Sequence, residues 1–397
     1  MPSEPSPGPV DAWGTDRRSR LFPGPFLVHA DLHNHTTLSD GAGEPAAVFP
    51  TLRAHGLDVA AITDHSRWAS AFLGLVHAPG WTGIDGRAWR LTAGLADAAN
   101  ADGSFVALRG FEWSHFAQGH LNVWGSEQFT DPLRTFGSMR GMWRWLERHV
   151  ERPDPSFGAV LAGFNHPGTG RRRFGRFAYR PALADHVVTQ EVFNKTDEYL
   201  FGPAGRASPL CESLDAGWRV GLIGVTDEHG ADWGGPDGKG RAGLYVHELS
   251  RRGVAEALRA RRVFASRVKG LRVDAALTSR TRPGPRARMG TDLVHARGPV
   301  LVEVDLDRGR AWHGRRLCVQ VLRPGRPAPA LATAVEIRVP GPGEPTVSFE
   351  VDLDPDGGNW VVLRVTDLSE SAGPEAPAEY SGLGRGIAYT SPWWLTE

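Results

Sequence analysis

Along the first two-thirds of the chain, short apolar runs alternate with stretches of helical period. Residues 26–32, 59–63, 105–111, 121–124, 159–164, 187–193 and 220–225 predict seven strands. Residues 44–55, 87–100, 142–150 and 208–216 predict helices between them, and 253–262 predicts another after the last strand. The first helix is opened by Gly43-Glu44-Pro45 and closed by Gly56. Proline suits a first turn, where the missing N–H has no partner anyway, and glycine suits the end. Alternation of this kind argues for a mostly parallel α/β arrangement. Seven strands come close to closing a (β/α) barrel, although an open sheet would give the same pattern.

From about Val268 the helical period disappears. Short alternating runs at 271–277, 300–306, 316–322, 334–339, 346–351 and 360–365 take over, separated by Gly/Pro-rich turns. They predict an antiparallel β-sandwich. Residues 280–288, rich in Arg and Pro, and 369–379 are expected as surface loops. The expected organisation is a flexible leader over 1–24, a catalytic α/β unit over 25–267 and a sandwich over 268–397.

Composition narrows this picture only slightly. A 397-residue chain with 41% hydrophobic residues can bury a large core and an appended unit. Lys+Arg and Asp+Glu are both 45, and zero formal charge disfavours nucleic acid or an anionic membrane as partner. The two cysteines, Cys211 and Cys318, form no CxxC pair and fit a reducing, cytoplasmic setting. No apolar run is long enough for a membrane span, and the leader lacks an apolar signal core. A small-molecule substrate is the expected partner.

The distribution of His, Asp and Glu changes the picture most. His33 and His35 lie just past the first predicted strand, and Asp40 follows in Ser39-Asp40-Gly41. Asp64 and His65 end the second strand and Glu112 the third, His120 opens the fourth, and His166 ends the fifth. Glu191 lies within the sixth, and Asp227 and His229 end the seventh. In parallel α/β folds, ligands bind at the carboxyl ends of strands, where nearly all these residues fall. Taken singly, each motif has an ordinary reading as a turn, a cap or a surface histidine; jointly they do not. Imidazole and carboxylate without thiolate suit Mn, Zn or Fe. Nine donors, His33, His35, Asp40, His65, Glu112, His120, His166, Asp227 and His229, are too many for one ion, so two to three are expected. Glu191 fits a ligand or a buried support equally.

These blocks, Asp31-Leu32-His33-Asn34-His35-Thr36, Thr63-Asp64-His65, Glu112, Gly119-His120-Leu121-Asn122, Asn165-His166-Pro167 and Asp227-Glu228-His229, resemble the PHP (polymerase and histidinol phosphatase) superfamily over roughly residues 29–265. The resemblance implies a distorted (β/α)7 barrel and a trinuclear centre. By it, His33, His35, Glu112 and Asp227 hold one ion, Glu112, His120 and His166 a second, and Asp40, His65 and His229 a third. Glu112-Trp113-Ser114, Glu191-Val192-Phe193-Asn194 and Ala388-Tyr389-Thr390-Ser391-Pro392 are similar to the branch that includes carbaryl hydrolase. Sister branches are phosphoesterases.

The implied chemistry is hydrolysis by a metal-activated hydroxide, with Asp64 as proton acceptor or positioning residue. The leading expectation is a phosphoesterase acting on a small molecule. Arg171, with Arg172, Arg173 and Arg176, and Lys195 are the phosphate-binding candidates, set against a solvated loop. Trp68, Trp113, Trp124 and Trp233 could instead line an aromatic pocket for a carbamate, ester or amide, set against ordinary packing. A non-catalytic metal-binding protein is the third alternative, disfavoured by the complete ligand set. Trp393 and Trp394 are candidates for packing the second unit on the first.

Overall fold

A computed structural model describes residues 11–66, 83–168, 173–202, 206–235, 237–282, 284–373 and 376–397. The first unit comprises β1 (Phe26–Asp31), α1 (Pro45–Ala54), β2 (Val59–Ile62), β3 (His65–Ser66), α2 (Gly86–Ala99), β4 (Val106–His115), β5 (Gly119–Trp124), α3 (Met139–His149) and β6 (Leu161–Asn165). It continues through α4 (Phe174–Phe177), β7 (Val187–Asn194), β8 (Asp197–Glu198), α5 (Pro209–Asp215), β9 (Gly221–Val225), β10 (Arg241–Val246), α6 (Arg251–Arg259) and β11 (Val263–Ser266). All seven strands and five helices expected from the pattern are present.

Side-chain alternation builds the layers. On β2, Val59 and Ala61 face the interior with Val28, Ala30, Val106 and Leu108, while Ala60 and Ile62 pack outward under α1 with Val48, Phe49 and Leu52. The other faces of β5, β6, β7 and β9 pack under α3 and α5. Asp85 and Ser138 cap α2 and α3 by accepting from backbone N–H groups of the first turn.

The sheet is mixed rather than mostly parallel. β1–β2, β2–β4, β6–β7 and β7–β9 pair parallel, but β4–β5, β5–β6, β1–β10 and β10–β11 pair antiparallel. In this unit the pattern missed β10 and β11, and also the two-residue β3 and β8. β11 is only four residues long and begins right after the helix expected over 253–262, too short to register as a separate run. The expected barrel is not closed: no ladder joins β9 to β10 or β11 among the described residues. The strands instead press together at glycines. A Cβ on Gly224 would meet Arg241 O at 2.6 Å, and one on Gly240 would meet Val225 N at 2.6 Å.

The rest of the chain forms β12 (Arg272–Ser279), β13 (Ala287–Arg288), β14 (Asp292–Leu293), β15 (Gly298–Asp307), β16 (Arg316–Arg323), β17 (Ala330–Arg338), β18 (Val347–Leu353), β19 (Trp360–Asp367), β20 (Arg385–Thr390) and β21 (Trp393–Leu395). β13–β12–β15–β18 is one antiparallel sheet. Its apolar face shares a core with β16 and β19, through Val273, Val302, Val319 and Val361 among others. β20 pairs with both β19 and β11, so hydrogen bonding runs on from the first sheet into the second unit. The boundary expected at 268 is therefore crossed by a continuous sheet. Trp394 joins the core beside Trp218 and Leu214, whereas Trp393 turns to the second unit's core and donates to Ala287 O.

Residues 11–24 correct the expected leader. Asp11 and Thr15 are buried. Thr15 Oγ1 donates to Gly270 O at 2.7 Å, and Arg17 O accepts from Leu27 N at 2.7 Å. Trp13 lies over Gly56 and Gly270, where a Cβ would approach its ring to 2.8 and 2.7 Å. The segment is pinned across the two units because its polar groups find fixed partners, which low hydrophobicity alone did not reveal. Both cysteines are buried and unpaired. No helix among the described residues is long and apolar enough to cross a membrane.

Candidate metal centre

The segment after β1 is fixed before it reaches any ligand. Asp31, fully buried, accepts from Thr226 N at 3.2 Å and from the Thr226 hydroxyl, which ties the end of β1 to the end of β9. Trp124 Nε1 donates to Leu32 O and Trp233 Nε1 to His35 O, each at 3.1 Å. His35 N donates to Glu228 O at 3.0 Å. Held extended in this way, His33 and His35 project to one side, and their Nε2 atoms lie 3.0 Å apart.

The other donors arrive from strand ends in register. β3 lies parallel to β4 with His65 opposite Glu112, and β5 returns antiparallel with His120 opposite Asn165 of β6. His166 and Asp227 follow the ends of β6 and β9 with φ of 26° and 46°, and Lys195 has φ 51°. Left-handed conformations cost roughly 1–3 kcal/mol for non-glycine residues and concentrate at functional sites.

Glu112 is the hub. Its Oε1 lies 3.4 Å from His33 Nε2, 3.1 Å from His120 Nδ1 and 3.2 Å from His166 Nε2. Its Oε2 lies 3.5 Å from His35 Nε2 and 2.6 Å from His65 Nδ1. Asp227 Oδ1 is 3.1 Å from His35 Nε2 and 3.4 Å from His33 Nε2. Asp40 reaches His65 Nε2 and His229 Nε2, each at 3.4 Å. The nine predicted donors thus form one contiguous cluster. Its tightest groups are His33, His35 and Asp227; His65, Glu112 and His120; and His35, Asp40, His65 and His229. The resemblance put His166 rather than His65 with Glu112 and His120, and left His35 out of the third set.

The donor set fits divalent cations. Glu112 Oε2 is buried with its hydrogen bonding unsatisfied, and His65 Nδ1 lies 2.6 Å from it. Facing ring nitrogens and an orphaned carboxylate oxygen are costly unless a shared cation lies between them. Taken by themselves, the side chains polarise one another strongly. Burial opposes charge on His65, but Glu112 and Asp40 outweigh it and raise its pKa to about 10. Burial lowers His35 to about 3, aided by the neighbouring His65. Burial also opposes charge on Glu112, yet His65, His120 and His33 hold it well below the usual carboxylate range.

Glu191 supports the site. Its Oε1 accepts from His33 Nδ1 at 2.7 Å, and its Oε2 from His166 N at 2.6 Å and Asn194 Nδ2 at 2.9 Å. A partner of this kind fixes tautomer and ring direction. Glu191→Gln is expected to weaken metal binding by about 10–100-fold with little change in fold, checked by competitive chelator titration alongside circular dichroism.

Asp64 does not stand free as a proton acceptor. It accepts from Thr36 N at 2.7 Å, Thr36 Oγ1 at 2.8 Å and Ser39 Oγ at 2.6 Å, and so holds the loop that presents Asp40. Arg171, Arg172 and Trp68 lie outside the described residues. Arg173 donates to His166 O at 3.0 Å, and Arg176 is exposed. Lys195 stands half-exposed with Nζ 3.4 Å from Asp227 Oδ2. Trp113, Trp124 and Trp233 are buried with their N–H groups bonded to protein, so they pack and position rather than line a pocket. Sequence reasoning missed Ser114, whose Oγ lies 2.5 Å from His65 Nδ1, and the support that Asn165 Nδ2 gives Glu112 Oε1 at 2.7 Å. Neutral polar residues carry no signal of their own.

No protein-family model and no curated protein matches the chain. Solved structures do. A two-domain protein from Bacteroides vulgatus, containing a predicted PHP-like metal-dependent phosphoesterase, is 16% identical over 96% of this chain and 100% of its own, with a TM-score of 0.45. A candidate metal-dependent phosphoesterase from Bifidobacterium adolescentis matches 53% of this chain and 90% of its own at 16% identity, with a TM-score of 0.29. An amidohydrolase from Chromobacterium violaceum, with bound sulfate and no metal, covers 51% of this chain and 87% of its own at 14% identity, with a TM-score of 0.24.

Proposed function

We propose that the chain is a PHP-type metal-dependent hydrolase that cleaves a phosphate ester of a small molecule at a trinuclear centre. The observation that carries this reading is the convergence of five histidines on Glu112, at the centre of one cluster of nine imidazole and carboxylate donors. His33, His35, Glu112 and Asp227 would hold one ion, Glu112, His120 and His166 a second, and Asp40, His65 and His229 a third, with His35 and His65 close enough to be shared. Bound divalent ions such as Mn, Zn or Fe supply Lewis acidity that lowers the pKa of water and neutralises charge developing on a substrate oxygen.

The chain's own residues do the rest. Glu191 and Asn165 orient the ligands, Asp64 fixes the loop of Asp40, and Lys195 offers an ammonium at the mouth to a phosphate oxygen. That half-exposed cation favours a phosphoester over an aryl carbamate. Among the described residues, the tryptophans near the cluster are committed to packing, so they give a carbamate no aromatic wall.

The test is a parallel screen of aryl phosphate monoesters, phosphodiesters, carbamates and carboxylic esters with Mn, Zn or Fe, combined with elemental analysis. The expected result is phosphate-ester turnover that chelation abolishes and added metal restores, in protein carrying more than one equivalent of metal. Turnover of carbamates alone would overturn the substrate assignment. Protein that stays mononuclear or metal-free under every supplement would overturn the centre.

A further inference from the structure

Away from the metal cluster, the loop after β9 meets the segment following β11, the turn between β15 and β16, and the start of β20. Between them lies a cavity of about 290 Å³, and none of the nine proposed metal ligands lines it. Its walls carry more positive charge than the structure neutralises. Arg315 pairs with Asp367, and Arg385 with Glu370 at 3.1 Å. Arg267, Lys269 and Arg308 have no carboxylate within ion-pair distance among the described residues.

Arg267 is the most deeply buried of the three. It is 5% exposed, its guanidinium lies 4.3 Å over the Phe193 ring, and its Nε has no acceptor. Arg308 Nε is likewise buried without an acceptor. The carboxylate acting on it, Glu198, is already paired with Arg364 at 2.9 Å, so two buried guanidiniums share one anion, a costly arrangement that an anion in the cavity would relieve. The lining carboxylate left over, Asp237, acts on Lys269 and Arg308 but is exposed and beyond ion-pair distance, so solvent weakens its pull. Burial pushes the Arg267 pKa down, and Glu198 offsets this only in part.

We propose that this cavity is a second, non-catalytic binding site that takes a small phosphorylated molecule, with Arg267, Lys269 and Arg308 on the phosphate oxygens. Three cationic groups exceed what a monocarboxylate neutralises and match a phosphate dianion, whose tetrahedral oxygens suit guanidinium forks. The volume admits inorganic phosphate or a compact ester and excludes a polymer. Trp312, also in the wall with Arg315 4.4 Å over its ring, gives the rest of such an ester an apolar surface.

The test is calorimetric titration of inorganic phosphate into the full-length, metal-loaded chain. Phosphate bound at the metals is common to every variant, so the signal sought is the additional site. Arg267→Ala and Lys269→Gln should each weaken that site by at least about tenfold while leaving hydrolysis at saturating metal unchanged. Lys269 is half-exposed, so its variant reports even where Arg267→Ala does not fold. An isotherm without a second site, or one unchanged by Lys269→Gln, would overturn the proposal.

Discussion

Replacing Glu112 by Ala should empty the centre and lower hydrolysis by at least about three orders of magnitude, a loss of roughly 4 kcal/mol of transition-state stabilisation. Glu112 is fully buried and its two oxygens face five histidines. Removing it takes the bridging anion from between the groups assigned to different ions. The imidazoles then face one another across a cavity with nothing to offset the charge of bound cations. Elemental analysis should show fewer metal equivalents than in wild type, and activity should fall in step. Glu112→Gln sharpens the reading. It keeps the volume and one acceptor oxygen but loses the charge, so it should retain the fold and still lose metal. Metal content equal to wild type in the Gln variant would show that Glu112 is structural and would remove the bridging role. By contrast, Lys195→Gln, at the mouth, should spare metal content and change turnover only.

How much of this was legible in the sequence follows from the physics of each residue. Strand interiors declared themselves, because burial on both faces leaves continuous apolar runs such as that of β9. The donors declared themselves too, because they sit where those runs stop, which no surface requirement explains. Residues whose role depends on direction stayed hidden. Trp124 and Trp233 read as packing or pocket, and only their N–H partners show that they brace the His33–His35 segment. The left-handed backbone at His166 and Asp227 leaves no trace in residue type, since neither is glycine. β10 was missed because it follows β9 as an antiparallel return with no helix between them, and β11 because it is only four residues long. Arg267 carried no signal, because sequence does not reveal which cations are buried against a shared anion.

Glu198→Ala should destabilise the chain by about 3–5 kcal/mol, the usual cost of leaving a buried charge without its partner. Glu198, on β8, accepts from Arg364 Nε of β19 at 2.9 Å and from the Tyr389 hydroxyl of β20. Arg364 is fully buried, so the pair ties the first unit to the sheet that continues into the second. Burial opposes the charge on Glu198, but Arg364 and Arg267 outweigh it and hold its pKa below the usual 4.5. The sign follows directly. A carboxylate with a lowered folded-state pKa binds fewer protons folded than unfolded, so its contribution is complete above the unfolded value. It is lost as pH falls through the folded one. Urea midpoints of wild type and Glu198→Gln, which keeps the shape and an acceptor, should therefore differ most at neutral pH and converge below about pH 4.5. A gap independent of pH would mean that packing and the Tyr389 hydrogen bond, rather than charge, hold the two units together.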